Sequence, residues 1–254
     1  MFVIGFELEF ISAYNRGKIR SLLKKEFPGI NLTVVEDVTI ATTVKMPHRH
    51  EIVTPPLLQE QSIELLSKLF LFLQANKCAA NKTTGFHVNV SFAEKDLNKW
   101  LNPLHVVDIL DYNSILKKWG RQNNRYCRPF DFYFDIIRKR VKLIYKPENW
   151  TDPYAMMHYT PAEVQRASEI KFIAMVSDCS DEHIDRYVGK AYDLWDVGAG
   201  KHVCINLHYL KYRRYIEFRM IGGAKYLTEY ESVMEDINII LESMKTAIKR
   251  SMEE

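Results

Sequence analysis

Four stretches of this chain alternate apolar and polar residues at period two. In each, the polar side carries groups that bind metals or phosphates, beyond the Lys, Thr or Ser of an ordinary wetted strand. In "FVIGFELEFI", Phe2, Ile4, Phe6, Leu8 and Phe10 share one face while Val3, Gly5, Glu7 and Glu9 share the other. In "GFHVNVSF", Phe86, Val88, Val90 and Phe92 oppose His87, Asn89 and Ser91. "RRYIEFRMI" sets Ile216, Phe218 and Met220 against Glu217 and Arg219, and "HVCINLHYL" sets Val203, Ile205 and Leu207 against His202, Asn206 and His208. Such segments have to lie in a sheet with one face sealed against helices and the other face carrying the chemistry.

The helices to seal it are legible. "RGKIRSLLKKEF" is a short amphipathic helix stopped by Pro28-Gly29, and Ile63, Leu66, Leu69, Phe70 and Leu73 recur at helical spacing over residues 59–76. Residues 97–144 read as mostly helical with a break at "GRQNNRYCRP", "TPAEVQRASEIKFIAM" opens a further helix, and a long helix covers 228–252. "INLTVVEDVTI" and "ATTVKMPHRHEIVT" read as strands, the second ended by Pro55-Pro56. Strands outnumber those of a parallel α/β repeat, and short connections between neighbouring strands are expected. The fold class predicted is α+β, an antiparallel sheet backed by helices. With no repeat, linker or low-complexity tract, residues 1–254 form a single domain.

The bulk numbers exclude little. A net charge of +3 suits an anionic small molecule as well as nucleic acid. Cys78, Cys127, Cys179 and Cys204 are scattered, which points to a reduced intracellular protein. Glu7 and Glu9 interrupt the apolar N-terminus as no signal peptide would be interrupted. "IELLSKLFLFLQA" is too short to span a bilayer, so a cytoplasmic protein with no membrane association is expected.

Taken alone, Glu7 and Glu9 fit a solvated strand edge. Glu51, in "HEIVTPP", adds a carboxylate before a rigid turn. If the strands share one curved sheet, Glu7, Glu9, Glu51, His87 and Glu217 converge. Carboxylates with one imidazole and no thiolate suit Mg²⁺ or Mn²⁺, and Arg219 is placed to meet a phosphate oxygen beside the metal. Other signals are weaker. His48 and His50 lack a third zinc ligand. "RKRVKLIYK" and "KYRRY" read as solvated basic faces before they read as a nucleic-acid surface, and Cys179 with His183 lacks an orienting partner.

"GFELEF", "HEIVTPPL", "TGFHVNVSF", "RQNNRYCRP" and "KHVCINL…YIEFRMIGG" follow the order of motifs in the amidoligase family, which this chain resembles from Gly5 to Gly223. That family belongs to the glutamine synthetase and glutamate–cysteine ligase superfamily. The resemblance implies an ATP-dependent carboxylate–amine ligase working through an acyl phosphate, with two divalent ions in a funnel formed by a curved antiparallel sheet. By motif, Glu7, His87 and Glu217 look like ligands of the metal nearer the phosphates, and Glu9 and Glu51 like those nearer the acceptor. Arg219 would hold the γ-phosphate, with Arg121 or Arg125 as a second clamp. Glu51, Arg219 and Arg125 are thus the residues set at the reacting groups. Arg121, Arg125, Tyr126, Lys201, Asn206 and Arg219 are those set at ATP. The chain departs from the family pattern at Asn89 (usually His), Thr54 (usually Ser) and Lys201-His202 (often Arg-Tyr), which puts the identity of the small-molecule or peptide carboxylate and amine in doubt rather than the chemistry. A guanidino-kinase-like phosphotransferase of related fold, and a non-catalytic nucleotide- or nucleic-acid-binding module, are the competing expectations.

Overall fold

The computed structural model describes residues 1–94, 97, 101, 103–130, 202–207, 209 and 213–253. Its elements are β1 (Phe2–Ser12), α1 (Arg16–Glu26), β2 (Thr33–Val35), β3 (His48–Val53), β4 (Leu57–Leu58), α2 (Gln59–Ala75) and β5 (Gly85–Phe92). They continue with α3 (Pro103–Ile109), α4 (Tyr112–Lys118), β6 (Ile205–Asn206), β7 (Ile216–Gly222), a 3₁₀ turn (Tyr226–Thr228) and α5 (Tyr230–Glu253). The strands form one seven-stranded antiparallel sheet in the order β2-β3-β1-β5-β7-β6, with β4 also paired to β1. Helices and an open antiparallel sheet make this an α+β architecture.

β1 is the centre of the sheet, not an edge. It pairs with β3 from Glu7 to Ser12 on one side and with β5 from Phe2 to Leu8 on the other. Its apolar face is fully buried at Ile4, Phe6, Leu8 and Phe10. Against that face lie Leu66, Leu69, Phe70 and Leu73 of α2, at the spacing read from the sequence. Phe86 stacks on Phe6 at 5.5 Å and on Tyr226 at 5.9 Å, and the Tyr226 hydroxyl donates to the Glu9 carbonyl. Burying a Phe or Leu contributes about 1.5–3 kcal/mol each, so this apolar face dominates the stability of the sheet.

Where β1 changes partner, Thr54 bridges the gap. Its hydroxyl accepts from the Phe6 N–H at 2.8 Å, and its own N–H donates to the Phe6 carbonyl at 2.9 Å. Pro55-Pro56 then breaks the ladder before β4 rejoins it at Val3 and Ile4. A serine hydroxyl would accept the same bond, so Thr54 keeps the bridge.

Three expectations are corrected. The strand read over residues 30–40 shrinks to Thr33–Val35, and that read over 41–54 shrinks to His48–Val53. The intervening chain is a turn-rich loop in which Asp37 Oδ1 accepts from the Thr39 N–H and hydroxyl at 2.8 and 2.7 Å. Side chain to backbone bonding of this kind competes with a ladder. Short connections join only some neighbouring strands. β6 and β7, the antiparallel pair read from "HVCINLHYL" and "RRYIEFRMI", are separated only by residues 207–215, whereas β1 and β5 are separated by α1, three strands and α2, and β5 and β7 by residues 93–215. The final helix starts at Tyr230 after a separate 3₁₀ turn. The helix read at "TPAEVQRASEIKFIAM" lies outside the described residues.

The last turn of α4 is anchored to α5 by a buried acid. Asp236, 1% exposed, accepts from Trp119 Nε1 at 2.5 Å and from Lys118 Nζ at 2.9 Å. Leucine at this position strands a buried indole N–H, while Lys118 keeps Glu235 and the Ser232 carbonyl as partners. Asp236→Leu is expected to cost about 1–3 kcal/mol, read as a lower urea midpoint with an unchanged m-value.

Candidate active site

β3, β1, β5 and β7 are consecutive in the sheet, and each contributes to one cleft of about 380 Å³. Cross-strand register sets Glu9 opposite Glu51, Glu7 opposite His87, and Asn89 opposite Glu217. Between Phe86 and Val88 the β5–β7 ladder shifts, since their partners are Ile221 and Phe218. The extra residue in β7 bends that strand beside His87, a device that re-aims side chains next to functional sites.

His87 is the hub. Its Nδ1 lies 2.8 Å from Glu7 Oε2 and 3.3 Å from Glu217 Oε1. Its Nε2 is within ion-pair distance of Glu9 Oε1, at 3.4 Å, without forming a hydrogen bond. Ligand atoms of Glu7, His87 and Glu217 lie within 4.8 Å of one another, as do those of Glu9, Glu51 and His87. The family resemblance set His87 with Glu7 and Glu217 alone, whereas here its ring nitrogens lie within reach of both groups. Arg219 donates to Glu217 Oε1 at 2.6 Å, and Asn206 Nδ2 to Glu217 Oε2 at 2.6 Å.

Electrostatics here follow from crowding. Burial alone raises the Glu7 pKa, but the hydrogen bond and charge of His87, the Asn89 amide and Arg219 outweigh it and hold Glu7 at about 2. Glu51 has no such compensation: burial, then the charges of Glu7 and Glu9, push it up to about 8 against a weaker opposing pull from His87. Burial and Arg219 oppose charge on His87, yet Glu7, Glu9 and Glu217 leave its pKa raised. The cluster therefore calls for positive charge at its centre. Oxygen donors with one imidazole, and a buried Nε2 lacking a hydrogen bond, fit a hard divalent cation.

Arg121 is 3% exposed and lines the same cleft, bonded through one terminal nitrogen to the Thr84 carbonyl at 2.7 Å, with its Nε unbonded. It fits only because its neighbours lack side chains. A Cβ on Gly222 would lie 2.0 Å from the guanidinium, and one on Gly85 would lie 2.9 Å from His87 Nε2. Gly222 also has φ +147°, which L side chains rarely adopt. Gly5, by contrast, leaves room for a methyl at ordinary contact distance.

Of the remaining sequence candidates, Tyr126 lines the cleft with its ring 5.5 Å from that of His202. Arg125 is exposed, stacked over Tyr126 at 4.6 Å and bonded to its hydroxyl, and does not line the cleft. Asn206 is buried behind Glu217. Lys201, Cys179, His183 and the basic stretch at 138–146 lie outside the described residues. His48 and His50 form no cluster with the site. His50 donates to the Tyr14 carbonyl at 2.8 Å and packs on Phe10, a structural role.

Sequence reading missed the opposite rim. Glu36, Asp37, Val38 and Thr39 line the cleft, together with Thr83 and Tyr209. Two adjacent acids in "VVEDV" break strict alternation, and that was the available signal for a turn in place of a strand.

The sequence matches the family described as "Putative amidoligase enzyme" over residues 12–231, a span that begins just after Glu7 and Glu9. Comparison with curated proteins yields no match.

Proposed function

Because the chain belongs to the amidoligase family of ligase-type enzymes, we propose that it joins a carboxylate to an amine at the expense of ATP, through an acyl phosphate. The observation that carries this reading is the pair of acid groups sharing His87, with Arg219 and Arg121 beside them in one cleft. Glu7, His87 and Glu217 would hold one divalent ion and Glu9 and Glu51 the other. Such ions supply charge neutralisation, which the approach of one anion to another requires. The sheet would then serve as the wall of a glutamine synthetase-like funnel.

The chain's own groups have definite tasks. Arg219, kept protonated by Glu217 and Glu9 against the effect of burial, orients the γ-phosphate. Arg121 offers a second buried guanidinium without an ion pair among the described residues, aimed at the same anion. Tyr126 and His202 form an aromatic wall for the adenine, and Arg125 clips Tyr126 in place. A substrate carboxylate oxygen attacks the γ-phosphorus as the bond to the β–γ bridging oxygen breaks and ADP leaves. The amine nitrogen then attacks the acyl carbon, phosphate departs with the surplus proton, and an amide remains. Positioning and charge complementarity do most of the work. The acyl phosphate has to be kept from water between the two steps.

Hydroxylamine is a small amine that traps acyl phosphates. With Mg·ATP and a broad pool of carboxylates, the purified protein is expected to form a hydroxamate and ADP in equal amounts. ADP with a stable phosphorylated product would instead indicate a phosphotransferase, and neither product across the pool would refute both.

A further inference from the structure

In three of the four glutamates of the cluster an amide N–H ties one oxygen. Asn89 Nδ2 donates to Glu7 Oε1 at 2.9 Å, the Gly85 backbone to Glu9 Oε2 at 2.5 Å, and Asn206 Nδ2 to Glu217 Oε2 at 2.6 Å. The other oxygens of these three glutamates are the ones turned to His87, and that of Glu217 also accepts from Arg219 at 2.6 Å. Each carboxylate therefore presents a single oxygen to the centre. Asn206 is 1% exposed, and its amide and that of Asn89 sit at cross-strand positions opposite Glu217. The sheet register fixes both donors.

We infer that Asn89 and Asn206 set the ion preference of the site, by holding Glu7 and Glu217 in a geometry that allows only one oxygen of each to bind metal. The inference rests on the reading that Glu7, His87 and Glu217 hold a divalent cation. Mg²⁺ takes six ligands at short range and accepts carboxylates one oxygen at a time. Ca²⁺ prefers six to eight oxygens and readily takes both from one carboxylate. A tied oxygen can still accept a second contact, but the tie fixes the rotation of the carboxylate plane. Chelation by both oxygens requires a turn that breaks the amide bond. Partners that orient metal ligands commonly change affinity by about 10- to 100-fold when removed. Here the change falls unequally on the two ions. Asn89 and Asn206 thus act through the glutamates, as positioning residues.

The test uses the full-length protein without nucleotide. Mn²⁺ bound to it is followed by electron paramagnetic resonance and displaced by Mg²⁺ or by Ca²⁺. Asn89→Leu and Asn206→Leu remove the donors at similar volume, and Asn89→His restores an N–H. Each leucine variant is expected to lower the Mg²⁺-to-Ca²⁺ affinity ratio about tenfold, with Asn89→His recovering most of it. Infrared difference spectra with Ca²⁺ should show the carboxylate bands of two-oxygen binding in the leucine variants and not in the wild type. Thermal melts identify folded variants. If Asn206→Leu does not fold, Asn89→Leu and its rescue decide the matter. A folded Asn89→Leu with an unchanged ratio, or with equal losses for both ions, overturns the inference while leaving the ligase reading standing. A wild type that binds none of the three ions removes the metal reading and this inference with it.

Discussion

Glu51→Gln is expected to yield a protein that is more stable than the wild type and nearly inactive. The Glu51 pKa is raised by burial and by the neighbouring charges of Glu7 and Glu9, from an ordinary 4.5 to about 8. A group raised in this way stabilises the fold below pH 4.5 relative to higher pH, and that contribution is lost as pH climbs to about 8. Wild-type stability, measured without divalent ions, should therefore decline across this window. Glutamine removes the slope, so the two proteins diverge with rising pH, by about 3 kcal/mol near neutrality. Activity goes the other way, since the second acid group loses an anionic ligand. Hydroxamate formation is expected to fall about 10²- to 10³-fold. Urea titrations at pH 5 and pH 8, paired with the hydroxamate assay, read both effects. A variant less stable than wild type at pH 8 would show that the acids are not in conflict.

Gly222→Ala carries the second large effect, through a methyl group alone. The added carbon would overlap the Arg121 guanidinium at 2.0 Å and the Thr84 carbonyl at 2.7 Å, in a backbone conformation strained for any L residue. Strain of this kind costs about 1–3 kcal/mol. The arginine has to leave its cradle, and ATP-dependent turnover is expected to drop about a hundredfold. Gly5→Ala is the control, with its nearest neighbours 3.8 Å away. Equal activity in the two variants would separate Arg121 from the chemistry.

The chain announced its strand faces more clearly than its topology. Alternation placed Glu7, Glu9, His87, Glu217 and Arg219 on strand faces, because side-chain direction in a strand follows from spacing alone. The family resemblance put His87 with Glu7 and Glu217 and left Glu9 and Glu51 apart, and that His87 lies against both groups was not legible. Alternation could not reveal that β1 runs through the middle of the sheet, since strand order depends on which distant segments pair. Nor could it reveal the shift beside His87, because a bulge adds a residue without altering composition. The rim at Glu36–Thr39 was hidden by β-branched residues. Val34 and Val35 do form a strand, but Asp37 accepts from the Thr39 N–H and hydroxyl and the chain turns there. Arg121 was legible as a candidate. Its cradle of glycines was not, since the sequence does not say what lies across from Gly222.

The order of strands has a consequence for how the protein comes into being. β1, at the sheet's centre, and β5 emerge early from the ribosome, whereas β7, which closes the far edge of β5 and brings Glu217 and Arg219, follows only after more than a hundred further residues. Until then β5 presents an unpaired, apolar-faced border of the kind that seeks other chains. Pairing across such sequence distances is slow, and a nascent chain is exposed throughout that interval. The cluster of acids around His87 should therefore assemble abruptly and late, once β7 has docked, and no fragment that ends before it can carry Glu217 or Arg219.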